Sequence, residues 1–329
     1  MTEETKASLQ AIYRSIAKDL TKVDRAFEAE LKGYDHFSHE VLTFLLGDPG
    51  KRMRPALVLF SARLGGRIPP IAIQIATAVE LLHTATLLHD DVLDEALLRR
   101  RKESVNSRWG NEISVVVGDY IYSKAFLLLS RLDGTIAFRT LSETARVMCI
   151  GELAQLVKRY DFALLEKEYF RMIELKTASL ISRSCELGAM VGGASQRTVS
   201  RMARYGLQFG IGFQIIDDCL DLVGEEKRVG KSLGTDIQKG KPTLPLIYLL
   251  KSLSSRDKEA LKRIMMESQD GRAVAEVRRL AIKQGALDRS LACAKGYFEK
   301  AKEMLVGIPE GGAKQNLSDL ADYTLGRSA

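Results

Sequence analysis

Apolar residues recur along most of the chain at the three- and four-residue spacing of an amphipathic helix. Near the start of the chain one such stripe comprises Leu9, Ile12, Tyr13, Ile16 and Leu20. Glycine and proline clusters interrupt the pattern and predict helical segments at about residues 5–31, 34–46, 51–64, 71–96, 112–132, 135–159, 164–191, 196–223, 243–251, 256–284, 287–305 and 313–326.

Two of these segments, 71–89 and 178–191, are apolar on most faces, which is typical of helices inside a bundle. No low-complexity linker separates two halves of the chain. The sequence therefore predicts an all-α fold, a single large helical bundle, with residues 1–329 as one domain.

Composition and charge narrow the range of functions. The chain has 329 residues, of which 46% are hydrophobic and 28% charged, so a wholly disordered chain is excluded. The net charge of +7 suits nucleic acid, anionic lipid or a diphosphate as partner. There is no DNA-reading motif and no concentrated basic stripe, so we expect no nucleic-acid partner.

Cysteine usage and the apolar runs bear on location. The four cysteines are scattered without a CxxC pair, which indicates reduced thiols rather than zinc or disulfides. The first residues show no secretory signal, and no uncharged apolar run reaches the roughly 18–20 residues of a spanning helix. We expect a cytoplasmic protein.

The sequence DDxxD occurs twice, at residues 90–94 and 217–221, each time at the end of an apolar helical segment. Asp90 and Asp94 share a helix face, and carboxylates so close repel each other unless cations lie between them. Hard oxygen ligands at this spacing suit Mg²⁺, which is commonly shared with substrate phosphates. One copy alone could be a solvated helix end, whereas two copies favour a metal site.

Basic residues accompany both acidic motifs. Arg99 follows the first motif, Lys239 and Lys241 follow the second, and residues 50–55 read GKRMRP. Each alone is typical of a solvated surface, but their placement points to diphosphate recognition. His83 and His89 are six residues apart and lie well apart around a helix, which argues against a zinc pair.

In combination and order, these motifs resemble the trans-prenyltransferase (polyprenyl synthetase) family over nearly the whole chain. The matching stretches are residues 50–55, 80–94, 98–100, 118–120, 151–155, 176–180, 212–218 and 240–245. Two positions depart from the family pattern: Arg101 stands where glycine is usual, and Glu103 where proline is usual.

The resemblance implies that the helical bundle surrounds a central cavity, and it implies roles for the matching positions. Mg²⁺ would be bound by Asp90, Asp91 and Asp94 on one side and by Asp217, Asp218 and Asp221 on the other. Isopentenyl diphosphate would be held by Lys51, Arg54, His83 and Arg100. The allylic diphosphate would be held by Arg99, Lys176, Thr177, Gln214, Lys231 and Lys241. Catalysis would rest on Asp90, Asp94, Asp217, Lys176, Thr177 and Gln214, and the role of Arg52 stays open.

The reaction implied is chain elongation. Mg²⁺ and basic residues would neutralise the allylic diphosphate so that it leaves, the isopentenyl double bond would attack the resulting cation, and a proton would be lost. Short-chain members tend to have an aromatic ring about one turn before the first motif, where this chain has Ala85 and Thr86. We therefore expect a long product, about C40, made from farnesyl diphosphate for quinone side chains.

Other features of the resemblance concern the floor of the product channel and the assembly. Phe126, Leu129 and Leu141 are candidates for that floor, and Gln155 stands where short-chain members often have Asp. The resemblance also implies a homodimer, which could contact a membrane transiently when its insoluble product is released.

Four alternatives remain open. A geranylgeranyl or farnesyl diphosphate synthase would share the motifs but make a shorter product. A non-catalytic subunit of a heteromeric synthase would be expected to have lost one Asp motif, and this chain keeps both. A terpene cyclase would lack the second DDxxD and the GKxxR motif. The fourth alternative, a basic helical nucleic-acid binder, has no motif to support it.

Overall fold

The structure is a computed structural model that describes residues 9–32, 36–47, 50–99, 102–224, 234–267 and 271–328. Its first eight helices are α1 (Ala17–Glu30), α2 (His36–Leu46), α3 (Met53–Arg63), α4 (Pro70–Leu93), α5 (Val105–Trp109), α6 (Asn111–Ser130), α7 (Ile136–Val157) and α8 (Glu166–Ile173). They are followed by α9 (Ser179–Val191), α10 (Gln196–Val223), α11 (Thr235–Gln238), α12 (Leu244–Ser252), α13 (Ser255–Glu267), α14 (Arg272–Lys283), α15 (Ala286–Glu303) and α16 (Gly312–Leu325).

Shorter elements join or cap these helices. A 3₁₀ turn at Arg14–Ile16 precedes α1, a π turn at Glu174–Ala178 joins α8 to α9, and a 3₁₀ turn at Gly326–Ser328 follows α16. Strands β1 (Leu98–Arg99) and β2 (Lys102–Glu103) form a two-stranded antiparallel hairpin. The expected all-α fold is confirmed.

The interior of the bundle is built around α4, α9 and α10. Helix α4 packs against α6, α3 and α1, while α9 lies between α3 and α10. Both segments that the sequence places inside the bundle are mostly buried there, as expected for helices that are apolar on most faces. A Cβ atom at Gly188 would overlap the carbonyl oxygen of Val58, so glycine is what allows α9 to lie this close to α3.

The structure corrects several predicted boundaries. The segment expected as one helix at 256–284 is two helices, α13 and α14, and α14 begins after Gly271 at φ 79°. Gly271 is the N-terminal cap of α14, and glycine adopts this left-handed backbone without steric cost. The segments 5–31 and 164–191 contain a 3₁₀ and a π turn, and α5, α11 and the hairpin were not predicted because they are too short to show periodicity.

Helices α4 and α6 are long and apolar enough to cross a membrane by length and composition alone. They pack against each other in the bundle, and most of the apolar stretch of α4 is buried there. A core helix of a large bundle meets the same criteria, so the observation is weak evidence for a membrane span.

Candidate active site

The first Asp motif lies at the C-terminal end of α4, with Asp94 as the residue that caps the helix. This end of a helix carries the negative pole of its dipole, so three carboxylates here produce a strongly negative potential. The middle carboxylate, Asp91, is buried and accepts hydrogen bonds of 2.6–2.8 Å from the Nε and Nη2 atoms of Arg99. Burial raises the pKa of Asp91, and the Arg99 guanidinium opposes that rise.

The other two carboxylates of this motif contact cationic side chains. Asp94 accepts a hydrogen bond of 2.6 Å from Lys241 Nζ and one of 3.3 Å from Arg159 Nη2. Burial opposes ionisation of Asp94, but the cations Lys241, Lys176 and Arg159 together outweigh it and lower the pKa of that carboxyl. Lys176 Nζ lies 3.7 Å from Asp90 Oδ2. The protein therefore gathers cations against the face of α4 that carries Asp90 and Asp94.

Lys176 is carried by the π turn between α8 and α9, which packs against α7 and α10. Such π turns frequently mark functional sites. A Cβ atom at Gly151 would lie 2.5 Å from the backbone nitrogen of Lys176, so glycine allows the turn to reach α7. The Lys176 ammonium donates to Gln155 Oε1 at 2.9 Å and forms an ion pair with Glu152. The motif at residues 151–155 thus supplies the partners of this lysine.

The second Asp motif ends α10 and has a different set of partners. Asp217 is partly exposed, and Arg327 Nη2 lies 3.8 Å from its Oδ1 atom. Asp218 is buried and accepts hydrogen bonds from Tyr169 Oη at 2.7 Å and Gln214 Nε2 at 2.8 Å. Burial raises the pKa of Asp218 to about 7, and the nearby carboxylates of Asp236 and Asp217 add to the rise.

Asp221 closes the second motif and is also buried. It accepts hydrogen bonds of 3.1 Å from the Thr235 hydroxyl and from the backbone N–H of Asp236. These bonds tie the short helix α11 to the end of α10. The side chain of Asp236 in turn lies 3.3 Å from Lys241 Nζ.

Two chains of polar contacts therefore connect the Asp motifs. One runs from Asp94 through Lys241 and Asp236 to Asp221. In the other, Lys176 contacts Asp90, and the neighbouring Thr177 donates to Gln214 Oε1 at 2.7 Å. Gln214 in turn donates to Asp218 of the second motif. Burial would lower the pKa of Lys241, but the carboxylates of Asp236 and Asp94 raise it well above its usual value. Its ammonium stays charged between the two motifs.

The residues expected to hold isopentenyl diphosphate lie on α3, the turn before it and α4. Arg54 Nη1 and His83 Nε2 are 2.9 Å apart, and Lys51 lies two residues before α3 begins. The expected partners Arg100 and Lys231 lie outside the described residues, as does Arg101. The structure thus brings Lys176, Lys241, Thr177 and Gln214 together between the two Asp motifs, and it brings Arg54 into contact with His83.

The side chain of Arg52 contacts acidic residues of α1 and α4. It adopts the left-handed backbone, φ 48°, and donates hydrogen bonds of 2.8 Å to Asp24 Oδ1 and Glu80 Oε1. Its guanidinium lies 4.6 Å from the centre of the Phe27 ring. Arg52 therefore fixes the turn that carries Lys51.

Ala85 is fully buried one turn before the first motif, and the Thr86 hydroxyl donates to the carbonyl oxygen of His83 at 2.7 Å. A column of rings with centroids 6.0–6.2 Å apart begins on α4, runs along α6 and ends on α7: His89, Tyr122, Phe126 and Phe138. Leu129 and Leu141 are fully buried, and Phe126 is partly buried against the core.

Several polar partners in the site were not predicted. Glu152, Arg159, Tyr169 and Asp236 contact the predicted residues across 15 to 65 positions of sequence, and only Glu152 lay in a recognised motif. No local pattern signals such contacts.

The acidic residues fit a metal that is shared with substrate. Among the described residues, no three or more His, Cys, Asp or Glu side chains are gathered into a preformed metal cage. Mg²⁺ does not require one, because it keeps several waters and binds through one or two carboxylates plus substrate phosphates. Asp90, Asp94 and Asp217 keep partly exposed carboxylates at the negative ends of two helices, which suits that mode.

Comparison with known proteins gives a consistent result. The family model described as Polyprenyl synthetase matches residues 36–281. Heptaprenyl diphosphate synthase component 2 of Geobacillus stearothermophilus is 36% identical over 96% of this chain and 98% of its own length. A short chain isoprenyl diphosphate synthase of Methanothermobacter thermautotrophicus is 35% identical over 84% of this chain and 86% of its own length.

A solved structure shows the same fold over nearly the whole length. The polyprenyl synthase from Caulobacter crescentus, crystallised with calcium and isoprenyl diphosphate, superposes with a TM-score of 0.94 at 34% identity. The match covers 98% of each chain.

Proposed function

The chain belongs to the polyprenyl synthetase family, a family of prenyl diphosphate synthases, and on that premise we propose that it condenses isopentenyl diphosphate with an allylic diphosphate. We propose farnesyl diphosphate as the primer, Mg²⁺ as the metal and a long all-trans polyprenyl diphosphate of about C40 as the product. Its use would be in quinone side chains, and its location the cytoplasm.

The observation that carries this proposal is the pair of lysines held between the two Asp motifs. Lys176 contacts Asp90, and Lys241 contacts both Asp94 and Asp236. A diphosphate carries several negative charges and needs both fixed cations and metal ions to be bound and to leave. In this proposal the carboxylates of the two Asp motifs bind the metal ions, and the lysines between them are the fixed cations.

In this proposal, side chains of the chain bind the allylic diphosphate and stabilise the cation that develops when it leaves. Lys176 and Lys241 bind the oxygens of the allylic diphosphate, and they exchange part of their carboxylate contacts for substrate contacts. When bound, Mg²⁺ neutralises the charge that develops on the leaving diphosphate. The Thr177 hydroxyl fixes the side-chain amide of Gln214, whose oxygen dipole faces the developing allylic cation. No protein nucleophile is required.

Arg54 and His83 form the second subsite in this proposal. Their 2.9 Å contact joins a guanidinium on α3 to an imidazole on α4, and His83 shares a helix face with Asp90, which follows seven residues later. Arg binds a diphosphate through two parallel hydrogen bonds, which fixes the position of isopentenyl diphosphate relative to the primer. Arg99 is held by Asp91 at the edge of the site, so its contact with the allylic diphosphate would follow a rearrangement of that pair.

A direct assay tests the reaction. The purified chain, Mg²⁺, farnesyl diphosphate and labelled isopentenyl diphosphate should give labelled long-chain prenyl diphosphate, with the Asp217→Asn variant as the control for metal-dependent turnover. A terpene cyclase would instead release a hydrocarbon from farnesyl diphosphate alone. A chain that is inactive alone but active with a second subunit would show that it belongs to a heteromeric enzyme.

The product length rests on Ala85, because relatives of similar identity carry both long-chain and short-chain names. The Ala85 side chain is fully buried and small, and it lies about one turn from Asp90, where a growing chain would leave the metal site. Ala85→Phe should shorten the product to about C15–C20 while condensation continues, because a ring would fill this level of the channel. An unchanged product measured by mass spectrometry would show that the channel lies elsewhere.

We also propose that a second copy of the chain covers an apolar face on α6 and α7. Val116, Leu153 and Val157 are 65%, 61% and 81% exposed on these two helices, and isolated bundles rarely leave such a surface open. The alternative partner is a different subunit, which the name of the Geobacillus relative suggests. Light scattering distinguishes them: a mass of twice 36.5 kDa supports a homodimer.

A further inference from the structure

The loop after α7 connects the two walls of the candidate site. Tyr160 adopts the left-handed backbone at φ 59°, a conformation that is unfavourable for a residue with a bulky side chain. Its backbone N–H donates to Gly240 O at 2.8 Å, and its hydroxyl donates to Gln238 O at 2.9 Å. One residue therefore binds the segment before Lys241 through two separate hydrogen bonds.

The ring of Tyr160 also packs directly on Gly240. A Cβ atom at Gly240 would lie 2.6 Å from the nearest ring carbons, and Gly240 itself has φ 65°. Only glycine gives both the left-handed backbone and the space for the ring at this position. The packing of Tyr160 on Gly240 therefore fixes the backbone position from which the side chain of the next residue, Lys241, extends.

Arg159, the residue before, holds the opposite wall. Its Nη2 atom donates to the carbonyl oxygen of Leu93 at 3.2 Å and to Asp94 Oδ1 at 3.3 Å. Two consecutive residues thus bind the end of α4 and the segment that carries Lys241. The loop fixes the distance between Asp94 and Lys241, which are 147 positions apart in sequence.

We propose that Tyr160 is a positioning residue that holds Lys241 between Asp94 and Asp236, and so shapes the allylic diphosphate subsite. The identity of that ligand rests on the proposed function, whereas the positioning of Lys241 does not. Tyr160 is 42% exposed and makes no contribution to the core that would explain its strained backbone. Its described contacts with residues 238–240 provide the explanation.

The first experiment needs no substrate. Lys241 Nζ is buried against two carboxylates, so an amine-reactive acylating reagent should modify it slowly, as read by mass spectrometry against the exposed Lys295. Tyr160→Gly keeps the left-handed backbone accessible but removes the ring and the hydroxyl, and should raise the labelling rate of Lys241 about tenfold. The matched control is Tyr248→Phe, which removes a hydroxyl that donates at 2.9 Å to Glu166, outside both Asp motifs.

The second experiment tests whether the effect passes through Lys241. Tyr160→Gly should raise KM for farnesyl diphosphate about tenfold and leave KM for isopentenyl diphosphate within about twofold. Tyr160→Phe, which keeps the ring, should restore most of the affinity. In the Tyr160→Gly/Lys241→Gln double variant the loss should equal that of Lys241→Gln alone, because the two residues act as one unit.

The outcomes separate the two proposals. Unchanged labelling of Lys241 in Tyr160→Gly, or effects of the two substitutions that multiply in the double variant, would overturn the role of Tyr160. A wild-type chain without prenyl transfer would refute the proposed function, and the labelling experiment would still decide whether Tyr160 positions Lys241.

Discussion

Replacing Arg52 with methionine would leave the Glu80 carboxylate buried without its ion-pair partner. The two side chains are 11% and 5% exposed and are joined by a 2.8 Å hydrogen bond. Removing one partner of a buried pair typically costs about 3–5 kcal/mol, because the remaining charge is neither solvated nor paired. Methionine at position 52 keeps most of the side-chain volume and has the same left-handed backbone cost as arginine, so the charge is the main change.

Two further variants isolate the origin of that cost. The double variant Arg52→Met/Glu80→Leu replaces the pair with apolar side chains and should return to within about 1 kcal/mol of the wild type. Asp24, the other partner of Arg52, has a side chain that is 39% exposed. Asp24→Asn should therefore cost less than about 1 kcal/mol, because solvent screens that pair.

Urea unfolding followed by circular dichroism measures these differences as shifts of the midpoint at constant m-value. The reasoning would be refuted if Arg52→Met unfolded within about 1 kcal/mol of the wild type, or if the double variant were as unstable as the single one. Either result would mean that the Glu80 carboxylate finds water or another donor when Arg52 is absent.

Three shorter predictions address the site and the core. Arg54→Ala should raise KM for isopentenyl diphosphate more than KM for the primer, because Arg54 belongs to the subsite proposed for isopentenyl diphosphate, where it contacts His83 at 2.9 Å, and the reverse ratio would mean that the subsites are exchanged. Removing divalent metal with a chelator should abolish turnover without changing the circular dichroism spectrum, because lysines already neutralise the first Asp motif. Gly188→Ala should destabilise the chain by about 1–3 kcal/mol in urea, since its methyl group would overlap the backbone of α3.

The long helices were predictable from sequence because each buries a continuous apolar stripe. Helices α4 and α9 show this most clearly, since their interior position follows from apolar residues on most faces. The break at Gly271 was not predicted, because a single glycine in a helical pattern can lie inside a helix, which it destabilises, or at a helix end. In the structure Gly271 has a left-handed backbone and caps the start of α14.

The site was predictable only as far as local spacing reaches. Asp90 and Asp94 share a face because they are four residues apart on one helix, and no tertiary information is needed for that. Arg52 shows the limit: its neighbours in sequence, Lys51 and Arg54, suggested a shared role in binding. The structure gives it Glu80 and Asp24 as partners instead, and these lie 28 positions away on either side.

The two DDxxD motifs have the same sequence spacing but different electrical surroundings. In the first motif, the outer carboxylate Asp94 contacts Lys241 and Arg159, both of which are charged side chains that can transfer to a substrate phosphate. In the second, Asp218 and Asp221 accept hydrogen bonds from the uncharged donors Tyr169, Gln214, the Thr235 hydroxyl and a backbone N–H, while Arg327 Nη2 lies 3.8 Å from the Asp217 carboxylate. Asp90 and Asp217 keep partly exposed carboxylates, one in each motif. Asp90→Asn and Asp217→Asn should therefore each weaken Mg²⁺ binding to the substrate-free chain, as measured by isothermal titration, because Mg²⁺ binds through one or two carboxylates. Unchanged binding in either variant would show that the carboxylate it removes is not a metal ligand.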